Sequence, residues 1–396
     1  MSELQYWVWL SMRASVRPEI KNELLAHCDG ARSLYYARKE DLRGLGIRLR
    51  PSEERDLLDK DLGAVDRALE ICERERIGIL TCRDAGYPMR LGSLETAPCV
   101  LYVLGRLPRI DDRPAVAVVG TRRASDYGLR TAETFGADIA RSGCILVSGL
   151  TDGIDGAAAK GALDAGGTVI GVTGAAIDAQ YAGRLAERAA ERGAVVGEFA
   201  PGDRAYRGFR MRNRITAGLA LASIVVEAPQ KSGALLFARE TLEQCKEVFV
   251  VPGNVDEARA AGSNALLSDG AAPAVCAWDV LSRFETAFPS LHRPEPKKTA
   301  PAPQPTAPAP EQKGIDKEKS AAYIDMEMLA RHLTPQELQV VQALKDGALP
   351  LDEVLDRVDA PSTETMSAIT MLQIMGIVQP LPGKRYQIGT IPDIRD

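Results

Sequence analysis

Residues 204–214, RAYRGFRMRNR, combine five arginines and two aromatic residues without a single acidic residue. A guanidinium group pairs with phosphate oxygens in a planar fork, and an aromatic ring accepts a nucleobase by stacking. These residue types therefore favour binding of a single-stranded nucleic acid. The alternative is a solvated, charged loop that leads into a helix. The segment contains Arg204, Tyr206, Arg207, Phe209, Arg210, Arg212 and Arg214.

The composition of the 396-residue chain, 45% hydrophobic and 26% charged, is that of an ordinary globular protein of roughly two to four domains. A net charge of −5 argues against a protein that coats nucleic acid over its whole surface. It permits a local basic groove, because binding follows the distribution of charge. No window approaches a membrane span and the N-terminus lacks a secretory signal, so we expect a cytoplasmic protein without a membrane partner.

Cysteine and histidine offer little material for chemistry. The seven cysteines are scattered and never spaced as Cys-x-x-Cys, which predicts neither a disulfide framework nor a zinc site. The three histidines, His27, His292 and His332, are too few and too separated in the sequence to favour histidine-based catalysis. We therefore expect no metal, no cofactor and no histidine-based catalysis.

Four segments follow from the distribution of apolar residues, glycine and proline. Residues 1–66 predict a helical domain of the SAM or helix-hairpin-helix type, because Ile20, Leu24 and Leu25 recur at helical spacing. Such a module either touches a DNA backbone or serves for packing and protein contact, and both interpretations stay open. Residues 289–328 are rich in proline and alanine and predict an extended linker.

The central segment, residues 67–288, predicts a Rossmann-like domain preceded by a connecting segment. Six short apolar strands alternate with helices in it, which predicts a parallel sheet with helices on both faces. The strands are AVAVVG, CILVS, GTVIGV, GAVVGEF, SIVVEA and EVFVVPG.

The last segment, residues 329–390, predicts a winged-helix domain, since three short helices precede a β-hairpin. From residue 331 to residue 390 it has five basic residues against seven acidic ones, whereas a DNA-reading wing is normally basic. Protein contact or weak DNA binding is therefore the expected role of this domain.

Ligands of parallel α/β sheets bind at the carboxyl ends of the strands, so the residues that follow each strand are informative. Glycine-rich turns that lead into helices follow the first and second strands, and PQKSG follows the fifth, an arrangement that holds phosphate groups. The predicted phosphate loops contain Gly120, Gly149 and Gly153. The predicted DNA contacts are Arg122, Arg123, Lys160, Phe209, Arg210, Arg212, Asn213, Arg214, Lys231, Ser232 and Gly233. Asp155, Asp178 and Glu198 lie towards the same edge, where we expect them to cap helices or pair with arginines.

The order and spacing of six motifs resemble those of the DNA-processing protein A family, DprA or Smf. The motifs are VAVVGTRR, SGLTDGID, GDRAYRGFRMRNRITAGL, VVEAPQKSGALLFA, VFVVPG and GSNALLSDGA. The resemblance implies a non-catalytic protein that binds single-stranded DNA, forms a homodimer through its Rossmann-like domain and loads the RecA recombinase during natural transformation. It also implies roles for single residues: Arg122 matches the first-loop arginine, Arg212 to Arg214 match the RNR, and Phe209 matches a base-stacking phenylalanine. Ser232 and Gly233 match the serine-glycine helix start.

The chain departs from the family pattern at several positions around the DNA pocket. Asp152 stands where a basic residue is usual, Ala159 where a histidine is, Arg210 where a proline is, and Phe237 where a threonine is. Ala182 likewise replaces the proline of a tyrosine-proline step. These differences concern the pocket and leave the expected fold unchanged.

Two enzyme hypotheses compete with DNA binding. A Rossmann-like nucleotide phosphoribohydrolase shares this sheet, but its PGGxGTxxE motif is missing. It would release free base from nucleoside monophosphates. An NAD-dependent oxidoreductase needs a GxGxxG turn that the chain also lacks.

Overall fold

The structure is a computed structural model that describes residues 2–178, 183–203, 209–294, 333–345, 347–374, 377–381 and 385–388. The chain divides into two compact units, Met1–Pro301 and Ala302–Asp396. Arg204, Tyr206 and Arg207 of the basic run lie outside the described residues, as does the predicted linker from residue 295 onward. Phe209 is described only through its backbone. No helix among the described residues is long and apolar enough to cross a bilayer.

The first unit begins with six helices that bury an aromatic core. They are α1 (Glu3–Ser11), α2 (Pro18–His27), α3 (Gly30–Tyr36), α4 (Lys39–Gly44), α5 (Pro51–Leu58) and α6 (Gly63–Glu75). Ser2 caps α1 by accepting a hydrogen bond from the Gln5 amide, and the ring of Trp9 is fully buried. The predicted domain end at residue 66 falls within α6, and these helices share their apolar cluster with the sheet that follows. The domain boundaries stay a prediction.

A nine-stranded sheet is the centre of the unit, in the order β1-β2-β6-β5-β4-β3-β7-β8-β9 among the described residues. The strands are β1 (Gly78–Thr81), β2 (Val100–Gly105), β3 (Ala115–Val119), β4 (Ile145–Ser148), β5 (Val169–Thr173), β6 (Ala194–Gly197), β7 (Ala222–Val225), β8 (Glu247–Val250) and β9 (Ala272–Pro273). The strands β3 to β8 are parallel to one another, which confirms the six predicted strands. β2 extends the sheet by antiparallel pairing with β6.

Helices cover both faces because successive residues of each buried strand point to opposite sides. In β3, Val116 and Val118 face the cluster that contains α8 (Asp126–Arg141), α9 (Ile154–Asp164) and α10 (Arg184–Arg192). Ala117 and Val119 face the cluster that contains α7 (Met89–Gly92), α11 (Phe209–Leu219) and α12 (Gly233–Glu243). Two shorter helices, α13 (Ala261–Ser268) and α14 (Ala277–Leu281), close the unit. The predicted Rossmann-like architecture is confirmed.

The second unit has the helix and strand order of a winged-helix domain. Its elements are α15 (Pro335–Ala343), β10 (Leu349–Pro350), α16 (Leu351–Arg357), α17 (Ser362–Ile374), β11 (Val378–Leu381) and β12 (Arg385–Ile388), with the strands in the order β10-β12-β11. A capping box between Thr334 and Glu337 starts α15, and Val340, Val354 and Leu372 are fully buried. The predicted domain type is confirmed, and its role stays a prediction.

Candidate nucleic-acid interface

The candidate site lies where the strand order reverses. β3 pairs with β4 on one side and with β7 on the other, so the loops after these three strands open a crevice at their carboxyl ends. Gly120 to Arg123 follow β3, Gly149 to Gly153 follow β4, and Pro229 to Ser232 follow β7. The helix α11, which connects β6 to β7, lies beside these loops. The crevice thus brings together most of the residues predicted from the sequence.

Arg212 of α11 is the central side chain of the crevice. Its Nη1 donates a hydrogen bond to the Gly149 carbonyl at 3.3 Å, and its Nη2 lies 4.0 Å from Asp155 Oδ2. Only 12% of the side chain is exposed. A Cβ atom at position 149 would lie 2.5 Å from Arg212 Cζ, so any larger residue there would displace the guanidinium group from its present position. Arg212 therefore ties α11 to the loop after β4 and to α9.

Asp155 faces the glycine loops that the sequence predicted to hold phosphate. Burial raises the pKa of this carboxyl, while the charge of Arg212, the Thr151 hydroxyl and the backbone of Gly120 and Gly149 oppose the rise. The loops after β3 and β4 therefore bind the Asp155 carboxylate, a negative group of the chain itself, at the place where the sequence predicted a bound phosphate. The expectation that Asp155 pairs with an arginine agrees with this geometry.

A second buried carboxylate occupies the start of α8. Glu227 accepts hydrogen bonds from the Ser125 amide at 2.9 Å and from the Ser125 hydroxyl, which in turn caps the Gly128 amide at 3.0 Å. Negative charge is stabilised at a helix N-terminus by the helix dipole. A phosphate group at the start of α8 would have to displace Glu227, so this helix start is a structural junction.

Two cavities meet at Arg122 and Arg212. The first, which we call the polar cavity, has a volume of about 510 Å³. The second, the apolar cavity, has a volume of about 460 Å³. The polar cavity is lined by Val119, Gly120, Thr121, Arg122, Arg123, Thr151, Asp155, Arg212, Asn213, Pro229, Lys231, Ser232, Gly233, Ala234 and Phe237.

Exposed cations surround the polar cavity. Arg122, Arg123 and Lys231 are exposed, and the hydroxyl of Ser232 accepts a hydrogen bond from the Ala234 amide at the start of α12. The side chain of Asn213 lies at the cavity wall, and the residue is only 6% exposed. Guanidinium and ammonium groups beside a helix N-terminus form a suitable environment for phosphate.

The sequence did not point to Arg259, which also reaches this crevice. Its Nε donates a hydrogen bond to the Arg123 carbonyl at 3.2 Å. Arg259 follows β8, whose carboxyl end lies at the same edge, and this position after a strand is the signal that could have identified it.

Arg214 lies away from the cavities although it is two residues from Arg212. Its Nη2 pairs with Glu198, and only 6% of the side chain is exposed. Gln244, which directly follows α12, donates a hydrogen bond from Nε2 to the Arg214 carbonyl at 3.0 Å. In this structure Arg214 joins α11 to the end of β6, and its assignment as a DNA contact stays a prediction.

Two other predicted DNA contacts, Lys160 and Arg210, do not line either cavity. Lys160 lies on the exposed surface of α9, where it pairs with Glu133 and, at 3.2 Å, with Asp164. These hydrogen bonds and charges raise its pKa. Lys160 is not among the residues that line the two cavities. Arg210 is exposed on the first turn of α11, which begins at Phe209.

The fold and the crevice define a Rossmann-like protein with a basic site at its topological switch point and a separate winged-helix unit. Residues 78–285 match the family described as DNA recombination-mediator protein A, and residues 325–384 match the DprA winged helix domain. The chain belongs to the DNA recombination-mediator protein A family.

Similar proteins include Protein Smf from Synechocystis sp., which is 29% identical over 98% of this chain and 99% of that protein. The DNA processing protein DprA of Streptococcus pneumoniae is 35% identical over 51% of this chain and 72% of that protein. An X-ray structure of DprA from Streptococcus pneumoniae superposes with a TM-score of 0.60 at 28% identity, covering 70% of this chain and 96% of that one.

The buried Arg214 and the exposed Arg123 are expected to contribute differently to stability. Arg214→Ala leaves the mostly buried carboxylate of Glu198 without its partner, and we expect the free energy of unfolding to fall by about 3 kcal/mol. Arg123→Ala removes an exposed side chain, and we expect a change within about 0.5 kcal/mol. Urea unfolding followed by circular dichroism measures both variants. Equal midpoints for Arg214→Ala and the unmodified protein would contradict the structural role of Arg214.

Proposed function

We propose that this chain is a non-catalytic recombination mediator that binds single-stranded DNA in the crevice and loads RecA onto it in the cytoplasm during natural transformation. The observation that carries the proposal is the set of exposed cations, Arg122, Arg123 and Lys231, beside the partly buried Arg212. Family membership supports the recombination-mediator role. The resemblance of the sequence motifs to this family is what supports RecA as the partner and natural transformation as the process.

Single-stranded DNA suits the crevice better than a free nucleotide does. The cations that line the polar cavity are side chains, and they can contact several successive phosphates of a strand. Nucleotide-binding Rossmann domains instead hold phosphate on the backbone amides of glycine loops and helix starts. Here Glu227 occupies the start of α8, and Asp155 faces Gly120 and Gly149. These contacts argue against the phosphoribohydrolase alternative and support a binding role without catalysis.

We also propose that two copies associate through the α12 side of the sheet. Leu236 and Leu242 of α12 are 65% and 55% exposed. An adjacent groove of about 650 Å³ is lined in part by Leu235, Leu242 and Leu266. Exposed apolar patches of this kind mark protein interaction sites. A homodimer would cover these leucines, in agreement with the resemblance.

The first test is the salt dependence of oligothymidine binding. If Arg122, Arg123 and Lys231 each neutralise one phosphate, the slope of log affinity against log salt concentration should be about −2, since each contributes roughly −0.7. Arg122→Ala should weaken binding and make the slope shallower by about 0.7. Fluorescence anisotropy across a salt series measures both quantities.

Arg109→Ala is the matched control for this titration. Arg109 is an exposed arginine that follows β2, and the end of β2 pairs with the amino end of β6, so it lies towards the opposite edge of the sheet. This variant should bind like the unmodified protein. Identical affinity and slope for Arg122→Ala and Arg109→Ala would contradict the proposed site.

Loading of RecA is tested separately on DNA that is already covered by a single-strand-binding protein. We expect the unmodified chain to shorten the delay before RecA filaments form, because it can hold the strand while RecA nucleates. Arg122→Ala should lose most of this effect, and Arg109→Ala should keep it. The DNA-dependent ATPase of RecA reports filament growth. An unchanged delay with the unmodified chain would contradict RecA loading without affecting the DNA-binding proposal.

The dimer is tested by placing a charge on the exposed apolar surface. Leu242→Asp should yield monomers in sedimentation equilibrium at concentrations where the unmodified chain is dimeric, because a buried unpaired carboxylate is costly. Leu4→Asp changes another exposed leucine, on α1, and should remain dimeric. A monomeric unmodified chain, or a dimeric Leu242→Asp variant, would overturn this interface.

A further inference from the structure

A second concentration of positive charge lies in the helical segment before the sheet. Residues 38–50, which we call the basic hairpin, comprise α4 and the loop that leads to α5. They contain five basic residues and two acidic ones, in a chain whose net charge is −5. None of the basic residues lines the polar or the apolar cavity. They are Arg38, Lys39, Arg43, Arg48 and Arg50.

Buried side chains hold the basic hairpin against the helices around it. Leu42 is fully buried, and Ile47 is buried in the same apolar cluster. Between them, Gly46 has a φ of 75°, in the left-handed region that favours glycine. A Cβ atom at position 46 would have no other atom of the described residues within 4 Å beyond its chain neighbours. The turn therefore projects into solvent from a fixed base.

The acidic residues beside α4 are engaged by the hairpin itself. The Asp41 carboxylate accepts a hydrogen bond from the Arg38 amide at 2.9 Å, at the start of α4. Glu54 of α5 pairs with Lys39 at 3.1 Å and with Arg43 at 3.2 Å. Because these two cations share one carboxylate, the surface around α4 keeps an excess of positive charge.

Arg48 and Arg50 are the cations of the hairpin that have no acidic partner. Both are exposed, and neither forms an ion pair with another described residue. Glu53 accepts a hydrogen bond from the Arg50 amide at 2.7 Å, but its side chain is fully buried and pairs with Arg17 at 2.7 Å. Glu40 is exposed on the first turn of α4 and leaves the net charge of the hairpin positive. The guanidinium groups of Arg48 and Arg50 are thus available to an external anion.

The chemistry of the basic hairpin fits the backbone of a duplex better than a single strand. Residues 38–50 include no aromatic residue, so the hairpin has cations but no ring on which a base can stack. A duplex keeps its bases stacked and presents phosphates at regular spacing on its outside. Arginines on a fixed loop can meet such phosphates without reading the bases.

We propose that the basic hairpin binds the phosphate backbone of double-stranded DNA, chiefly through Arg48 and Arg50. This contact is separate from the crevice and goes beyond the proposed function, which concerns a single strand. The helices that carry it are joined to the sheet, since the hydroxyls of Ser11 and Tyr102 lie 3.0 Å apart and Asn22 donates a hydrogen bond to the Ala97 carbonyl at 2.9 Å. One unit of the chain therefore has a surface for a duplex and a crevice for a single strand.

The test is the salt dependence of binding to a short blunt duplex, measured by fluorescence anisotropy. Replacing both Arg48 and Arg50 by alanine removes two phosphate contacts, each of which contributes about −0.9 to the slope of log affinity against log salt concentration. We expect the slope to become shallower by about 1.8 and the affinity to fall roughly 60-fold at about 0.1 M salt. Binding of oligothymidine should stay unchanged, which also shows that the variant is folded.

The matched control replaces Arg106 and Arg109, two exposed arginines after β2, by alanine and removes the same charge. It should bind the duplex like the unmodified protein. Unchanged duplex binding without Arg48 and Arg50, or no duplex binding by the unmodified protein, would overturn the proposal and leave the crevice untouched. Poly-glutamate that binds the hairpin as tightly as a duplex of equal charge would assign the surface to an acidic protein instead and would also overturn it.

A second measurement uses the unmodified protein and the arginine reagent phenylglyoxal. The duplex should protect Arg48 and Arg50 from modification, as read by mass spectrometry, while Arg106 and Arg109 react at the same rate with and without DNA. Oligothymidine should leave Arg48 and Arg50 reactive. Equal modification of Arg48 and Arg50 in the free protein and the duplex complex would contradict the proposed contact.

Discussion

The contact of Arg212 with Gly149 and Asp155 is the constraint on which the crevice depends. A guanidinium group that is mostly removed from water must be paired, and here its partners come from the loop after β4 and from α9. Arg214 makes a second, mostly buried pair with Glu198 at the end of β6.

The other end of α11 is held by Lys246, whose Nζ donates hydrogen bonds to the carbonyls of Ala217 and Gly218 at 2.6 Å and 2.8 Å. Burial lowers the pKa of Lys246 to about 8. These contacts fix α11 beside the two cavities.

Carboxylates of the chain occupy positions that phosphate takes in many Rossmann-like proteins. Glu227 stabilises the start of α8, and Asp155 faces the loops after β3 and β4. The glycine-rich turns consequently act as structural junctions, and the available positive charge comes from side chains at the rim. A site of this kind suits a polymer with regularly spaced phosphates, because exposed cations can contact several of them at once.

The parallel strands could be predicted because each is a short apolar run bounded by glycine or charged residues, and such runs are typical of strands buried on both faces. The two-residue strand β9 is too short to leave such a pattern. The sequence predicted that Glu198 would cap a helix or pair with an arginine, but it did not predict the inward position of Arg214, because that depends on how α11 packs beside the end of β6. The pairing of Lys160 with Glu133 likewise depends on how α8 packs against α9, the helix that follows it after β4. Sequence identifies the charged residues, whereas packing decides which of them remain available.

Photochemical crosslinking of a short oligothymidine that contains 4-thiothymidine tests the central claim most directly. Mass spectrometry of the digested complex identifies the peptides that touch the strand. The crevice predicts crosslinks to the loops after β3 and β7 and to the first half of α11. Crosslinks confined to helices α1 to α6 or to the winged-helix unit would contradict it.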